Sequence, residues 1–492
     1  MRLRLEQSRS GPPTVLVGSI YIHSRYDPVS EASRFIESLE LPNHTDIFII
    51  LEPGLGYCID FLKIASTKSK LLVIHATKEF KTIPGTYDSL AHGVWYPDDG
   101  VDIINFLEKE IPEGSVCQLL EWKASAGAFG ETYQQLLNKV KQFLKLEAAN
   151  NRTTSGFGKR WLKNVFKNLS LVQNAIYFTP GEIPVIVTGA GPSLEDSIPF
   201  IHKALQRGPL CIVAVASSVP ALLAHHIVPS LSVATDGGTW AAFHLIDQFR
   251  RAGPVATNSS QALPFPLAVT LNATLCSQAA QVPQLLISDG SHWQTGLLQK
   301  MALPFIQLPQ RGTVSATVID LAMMLSTGPL YITGIDLAHN DIKTHARPYG
   351  LDFYIDKGAN RLMPLYDLRY KRALIGANKE ALSLYAVWFE KYFSDKLGRI
   401  SVLGYKHPKF PDIPVSHEIY WPSKKEPSFY MVPRKKAFVH QYAKDYVSLL
   451  IQELQNSSEQ MVLQKELSFL LSGNKSALSV PEIIKQLKDL CY

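Results

Sequence analysis

At 492 residues, with 46% hydrophobic and 19% charged side chains, the chain can bury two or three cores and is too apolar to be largely disordered. Its formal charge of +6 is mild, and the basic residues are scattered rather than blocked into an arm, so no nucleic-acid partner is expected. The five cysteines, Cys58, Cys117, Cys211, Cys276 and Cys491, are odd in number and far apart, which fits neither a disulfide framework nor a zinc site. The N-terminal residues lack the apolar core of a signal peptide, and no uninterrupted run of about 18 apolar residues occurs. A cytoplasmic protein without an integral membrane segment is expected.

Along the first segment, short β-rich runs alternate with helical patterns: Thr14 to Gly18, a helix from Asp27, Asp46 to Leu51, a helix from Tyr57, then Leu71 to His75. This alternation predicts a parallel α/β domain over residues 1–120. Tyr133 to Ala149 reads as an amphipathic helix followed by the polar stretch from Asn150 to Gly156, so residues 121–180 are expected to be a helical linker. A second βα series begins at Pro184, with buried-strand runs at Val185 to Val187, Leu210 to Ala216, Leu231 to Thr235 and Leu330 to Thr333. It predicts a domain over 181–350. Residues 351–492 are expected to be mainly helical, with a helix at Ala381 to Phe393, a proline-rich extended stretch at Pro408 to Pro433, and a helical stripe of Tyr442, Tyr446, Leu450 and Leu454 suited to docking on the protein's own core.

The run Val185-Ile-Val-Thr-Gly-Ala-Gly-Pro-Ser-Leu194 is a strand, a tight glycine turn and a helix start. Gly189 and Gly191 permit positive φ and close ligand approach, Pro192 fixes the turn, and Ser193 can cap the helix or donate to a phosphate. Such a turn aims backbone N–H groups at an anion, although many strand–helix turns bind nothing. The loop has neither the lysine of an ATP-binding P-loop nor the third glycine of a dinucleotide fingerprint. Further polar residues collect at successive strand ends. Ser217 and Ser218 are candidates for nucleotide contact or for capping the next helix. Asp236 is a candidate for ribose, metal or a cationic partner, or for an Asx turn before Gly237.

A second cluster follows. Gly312 and Thr313 open a helix whose Val314, Val318, Leu321 and Leu325 face the core, and the strand Leu330 to Thr333 ends at Gly334-Ile-Asp336. Nine residues beyond Asp336 lies His345, on a loop with Lys343 and Arg347. A histidine there can act as a general base, and the two cations can neutralise a phosphate or carboxylate, although loop residues of these kinds are more often merely solvated.

The combination of Gly189-Ala-Gly-Pro-Ser-Leu194, Ser217-Ser218, Ala221-Leu-Leu, Ile227-Val-Pro229 and Asp236 resembles the 6-hydroxymethylpterin diphosphokinase-like domain. That domain forms the centre of the motility accessory factors, the bacterial flagellin glycosyltransferases. Gly312-Thr-Val, Gly334-Ile-Asp-Leu337, Thr344-His-Ala346 and, in the preceding helix, Trp161-Leu-Lys-Asn164 and Asn168 extend the resemblance over roughly residues 155–350. It departs from that family's usual pattern at Ile335, where glutamine is usual. Leu51-Glu-Pro-Gly-Leu-Gly-Tyr57 also looks like a methyltransferase glycine loop, but the next strand ends in His75 where an acidic residue would hold a ribose.

The resemblance implies an α/β fold whose Rossmann-like central domain is similar to the CMP-sialic acid transferases. It implies a CMP-activated nonulosonic acid as donor, flagellin Ser or Thr hydroxyls as acceptor, and no required metal or other cofactor. On that reading Gly189, Gly191, Pro192, Ser193, Gly312, Thr313 and Gly334 surround the phosphate and ribose, Ser217, Ser218 and Asp236 the nucleoside. His345, oriented by Asp336, is then the base. Two alternatives stand beside it: an ATP-dependent pterin diphosphokinase holding magnesium on carboxylates such as Asp236 and Asp336, and a non-catalytic flagellin-binding assembly protein.

Overall fold

The computed structural model describes all residues except 1–2, 42–44, 84–87, 113, 253–262, 310–312, 338–341, 376–385, 387–388, 390–397, 433–440, 457–459, 473–477 and 492. Two compact units, Met1–Arg152 and Thr153–Tyr492, make up the chain.

In the first unit, β1 (Leu3–Gln7), β2 (Pro13–Val17) and β3 (Ile20–Tyr21) form an antiparallel meander ahead of α1 (Pro28–Glu37). Asp27 starts α1 by accepting from the backbone N–H groups of Val29 and Ser30. Then come β4 (Ile47–Leu51), α2 (Tyr57–Ala65), β5 (Lys70–Ile74), β6 (Gly93–Trp95), α3 (Ile103–Glu110) and β7 (Cys117–Glu121). Their strands form a parallel sheet of order β6-β5-β4-β7. β4 is buried along its whole length, which is why its sequence is an unbroken apolar run instead of an alternation.

α4 (Lys123–Leu171) is interrupted only at Gly130, where φ is 49° and ψ is −118°. The expected end of the helix at Ala149 is therefore corrected: the polar stretch from Asn150 to Gly156 is helical. Asn151 and Thr154 are buried, and Asn151 Oδ1 accepts from the Gly114 N–H at 3.2 Å, so polar residues here are tied into the protein instead of turning the chain out to water.

The second unit contains β8 (Ile176–Thr179), β9 (Val185–Thr188), α5 (Ser193–Leu205), β10 (Cys211–Val215), α6 (Val219–Ala224), β11 (Leu231–Ala234), α7 (Ala241–Ala252) and β12 (Leu267–Thr270). It continues through β13 (Gln284–Ser288), α8 (His292–Lys300), β14 (Phe305–Gln307), α9 (Val314–Leu325), β15 (Leu330–Thr333), α10 (Asp352–Asp356), α11 (Leu365–Ile375), β16 (Ile400–Leu403), β17 (Val415–Ser416) and β18 (Ser428–Met431). Nine of these strands form one parallel sheet in the order β14-β13-β12-β11-β10-β9-β15-β16-β17, while β8 and β18 pair separately and antiparallel. Alternate residues of β9 enter different cores: Ile186 packs in one, Val185 and Val187 in the other. The chain winds outward from β9 through β10 to β14, then crosses back so that β15 pairs with the other side of β9. The topological switch point lies between β9 and β15, and the crevice at the C-terminal ends of those strands is where open α/β sheets bind ligands.

The boundaries expected at 120, 180 and 350 do not match this division. Residues 121–180 are not a free linker, because Tyr133 and Val140 are buried in the first unit and Leu162 and Val165 in the second. Nor is the region beyond 350 separate, because β16 and β17 extend the same sheet. Three helices close the chain, Gln441–Asn456, Gln460–Ser472 and Val480–Cys491. Tyr446, Leu450 and Leu454 are fully buried in the core that holds Ile186, so the expected stripe docks on its own unit, although the side chain of Tyr442 lies outside the described residues. The helix expected at Ala381 to Phe393 also lies largely outside them. Among the described residues no helix is long and apolar enough to cross a membrane.

Leu450→Ala removes a fully buried side chain from that core, and unfolding by urea should show a loss of about 2–5 kcal/mol. A change within about 0.5 kcal/mol would mean that the stripe is not packed in solution.

Candidate active site

Two glycine loops meet at the switch point. Gly189, just after β9, donates its N–H to the Thr333 carbonyl at 2.8 Å, and Gly191 donates to the Gly334 carbonyl at 2.7 Å. A Cβ on Gly189 would lie 2.2 Å from the Gly334 oxygen, and one on Gly334, where φ is +67°, would lie 2.2 Å from the Gly189 oxygen. These glycines are needed because backbone packs against backbone across the crevice.

Asp336 seals the junction. Its carboxylate accepts from the Ser193 backbone N–H at 2.9 Å and from the Ser193 hydroxyl, which in turn accepts from the Gly334 N–H at 3.1 Å. The N-terminus of α5, where the sequence predicts an external phosphate, is thus taken by the protein's own carboxylate. With Gly189, Gly191 and Ser193 all donating internally, and Pro192 buried with no N–H to give, the anion cradle expected from this loop is corrected to an internal one. Asp336 accordingly positions α5, and both of its oxygens are engaged by Ser193 instead of His345. Burial, with the Asp336 carboxylate second, pushes the Tyr405 phenol up. His407 supports the same loop: Nε2 is 2.7 Å from the Ile335 carbonyl and Nδ1 accepts from the Lys409 and Phe410 N–H groups. Burial lowers its pKa, in keeping with a neutral ring.

The other expected residues divide between structural and open positions. Ser218 is fully buried, bonding to Thr188 Oγ1 at 2.9 Å and donating to backbone carbonyls, so it neither caps α6 with its side chain nor faces a nucleotide. Ser217 is half-buried at the same strand end. Asp236 is exposed and makes the Asx turn to the Gly238 N–H at 2.7 Å. Thr313 caps α9 through Ala316, and Gly312 lies outside the described residues. The motif residues of α4 brace this edge: Asn168 Nδ2 donates to the carbonyls of Leu271 and Ala273, and Asn164 Nδ2 to those of Gly237 and Asn272.

The His345 loop is strapped over the crevice. Ala346 donates its N–H to the Ala190 carbonyl at 2.8 Å, and the Glu195 carboxylate holds the Arg347 N–H at 3.0 Å and the Lys343 ammonium at 2.7 Å. Lys343, a candidate anion neutraliser, is therefore paired. The His345 ring stacks on Tyr349 with centroids 4.0 Å apart, and its Nδ1 is 3.0 Å from Thr344 Oγ1. Beside the loop is a wall of half-exposed aromatic residues that sequence reading missed, with Trp240 4.7 Å from Tyr354 and Phe243 5.4 Å from Phe353. No motif flags them; only exposure marks them out.

The glycine loop of the first unit is closed. Gly54 has φ +63°, and a Cβ there would lie 2.5 Å from both His23 Nε2 and Ile22. His23 Nε2 accepts from the Leu55 N–H at 2.9 Å, and burial pushes the ring's pKa down to about 3. At the adjoining strand end the buried His75 lies between Glu52 and Asp88, at 3.1 and 3.0 Å, and stacks on Phe80 and Tyr96. Burial alone lowers its pKa, but the two carboxylates more than reverse this and push it up to about 9. Among the described residues no group of three or more His, Cys, Asp or Glu side chains is placed to hold a metal ion.

Fold and crevice define a doubly wound α/β protein with its ligand edge at the β9–β15 switch point. Residues 159–341 match the family model of the 6-hydroxymethylpterin diphosphokinase MptE-like proteins, and the centre of the chain carries that family's domain. Over its whole length the chain shares its fold with 86% of the MAf glycosyltransferase from Magnetospirillum magneticum AMB-1, at 12% identity and a TM-score of 0.50. Two uncharacterized proteins of Treponema pallidum (strain Nichols) are similar in sequence. One is 24% identical over 62% of this chain and 64% of its own length, the other 29% identical over 24% of this chain and 55% of its own.

Two outcomes follow from these contacts. Asp336→Asn offers an amide hydrogen where a donor already points, so a stability loss of about 1–3 kcal/mol is expected in urea unfolding. Because His75 is raised above its unfolded value, its contribution is fully present below pH 6.5 and is lost as pH rises through about 9. The first unit should therefore unfold at lower urea at pH 9.5 than at pH 6.5, and His75→Gln should flatten that difference; an unchanged slope in the variant would rule out His75 as its source.

Proposed function

We propose that the protein is a glycosyltransferase that moves a nonulosonic acid of the sialic, pseudaminic or legionaminic type from a CMP-sugar to Ser or Thr hydroxyls of flagellin, in the cytoplasm. The observation that carries this reading is the strapping of His345 to the glycine loop through Ala346 and Ala190, which sets a histidine at the ligand edge of the switch point. The similarity in fold to a glycosyltransferase supports the reaction class.

The donor lies along the crevice, with Ser217 and Asp236 as the polar groups open to its nucleoside. The imidazole of His345 takes the proton of the acceptor hydroxyl while the hydroxyl oxygen attacks the anomeric carbon. The bond from that carbon to the phosphate oxygen breaks, and CMP leaves with the bonding electrons. A neutral imidazole is required for that step.

The family description favours a second reading, a diphosphokinase moving pyrophosphate from ATP to a hydroxymethyl pterin. It has less support at the residues, because Asp336, one of the two carboxylates open to magnesium on that reading, is engaged by Ser193. Activity with ATP and pterin would establish it.

The test is the intact mass of flagellin from cells carrying the wild-type gene, a deletion or His345→Ala. We expect the sugar's mass to disappear in the deletion and in His345→Ala, with transfer by the purified variant reduced by about 100-fold or more. Flagellin of equal mass in wild type and deletion would overturn the proposal, and full modification by His345→Ala would remove His345 as the base. Retained flagellin binding without transfer by the wild type would support a non-catalytic assembly protein instead.

A further inference from the structure

Beside His345 is a small cleft whose charged and aromatic lining is His345, Arg347, Tyr349, Asp352 and Arg369. Arg369 comes from α11 and has no place in any sequence motif. It is 9% exposed. One terminal nitrogen donates to Asp356 at 2.7 Å and lies 3.8 Å from Asp352, which ties α10 to α11. Its Nε is shielded from solvent and has no hydrogen-bond partner. Arg347 is exposed, and its guanidinium makes no ion pair among the described residues.

A tie between two helices explains the Asp356 bond but not the rest. A guanidinium has five N–H donors, and burying one with an unmet donor is costly unless an acceptor fills the place. Asp356 and Asp352 hold Arg369, so the lining cation without an ion pair among the described residues is Arg347, and its unmatched charge favours an acceptor that is an anion. Arginine forks match carboxylate and phosphate oxygens in pairs, which ammonium groups cannot do.

We propose that Arg369, with Arg347, forms an oxyanion subsite for the donor, and that it holds the group borne on the anomeric carbon next to the base. This rests on the glycosyltransferase reading for the identity of the ligand, although the anion site itself does not. In a CMP-nonulosonic acid the anomeric carbon carries both a carboxylate and the phosphate ester. Either oxyanion suits the subsite chemically, and the carboxylate, which goes with the transferred sugar, is the one assigned. Arg369 then selects acidic sugars over neutral ones.

The full-length wild type, Arg369→Met, Arg369→Lys and Arg347→Met are titrated calorimetrically with CMP, CMP-N-acetylneuraminic acid, free N-acetylneuraminic acid and its methyl ester. The wild type should bind the free acid better than the ester. Arg369→Met should weaken CMP-N-acetylneuraminic acid by about 10- to 100-fold while leaving CMP within about twofold, and Arg369→Lys should recover only part of the loss. Equal losses for both nucleotides would keep the oxyanion subsite but overturn the carboxylate assignment in favour of phosphate. If the wild type binds neither nucleotide yet holds the free acid through Arg369, the donor reading fails and the anion site stands. Unchanged affinities in all variants, or no anion bound by the wild type, would overturn the subsite. Because Arg369 also ties α10 to α11, each variant's melting curve is recorded; should Arg369→Met fail to fold, the exposed Arg347→Met decides, with a loss of about 3- to 10-fold in CMP-N-acetylneuraminic acid affinity expected and none overturning the proposal.

Discussion

The carboxylate of Asp336 at the start of α5 is the contact on which the ligand edge depends. A helix N-terminus that follows a glycine turn is a site of positive potential with free donors, and in many α/β proteins an external phosphate meets that demand. Here a carboxylate from the next strand of the sheet meets it through Ser193, and Gly191 completes the join by donating to Gly334. The crevice is therefore organised before any ligand arrives. With the cradle filled from within, the groups left at this edge are those of the strapped loop, His345 and Arg347, and the polar side chains at the neighbouring strand ends.

This explains how far the sequence could be read. Strands β9, β10, β11 and β15 were legible because a parallel strand covered on both faces is a continuous apolar run. Asp27 before α1 was legible because capping is local. The glycine turn was equally visible as a turn, but its partner was not. Ser193 and Asp336 are 143 residues apart, and the sequence shows that both lie at strand ends without showing that they face one another. Polar residues near the edge look alike in one dimension, so Ser218, wholly buried against Thr188, and Ser217, half-buried, could not be told apart. The helix beyond Ala149 was missed for the same reason: local polarity signals a break, while burial of Asn151 and Thr154 is a tertiary fact.

The motif residues of α4 show a related division of labour. Asn164 and Asn168 reach four backbone carbonyls in the loops after β11 and β12, and a Cβ on Gly237 would strike the Trp161 ring. Buried side-chain amides that satisfy irregular backbone fix loops that have no ladder of their own. Asp236 sits in one of these braced loops, with its carboxylate exposed. Residues that look like ligand contacts in sequence can thus belong to the scaffold that holds a neighbour in place.

Both units present a glycine-bearing loop at the C-terminal end of a parallel strand, and the two differ in what surrounds the loop. In the first, His23 and Ile22 occupy the space beside Gly54, and the adjoining His75 is caged by two carboxylates and two aromatic rings; such a buried, fully partnered charge has no surface left for a ligand. In the second, the glycines are spent on joining two loops, yet the loop above them keeps a histidine, an arginine without an ion-pair partner among the described residues and a cleft reaching the buried Arg369. A glycine turn by itself does not distinguish these cases. What does is whether the groups beside it can be reached from solvent: His23 and His75 at the first edge are buried, whereas Ser217 and Arg347 at the second are half-buried and exposed.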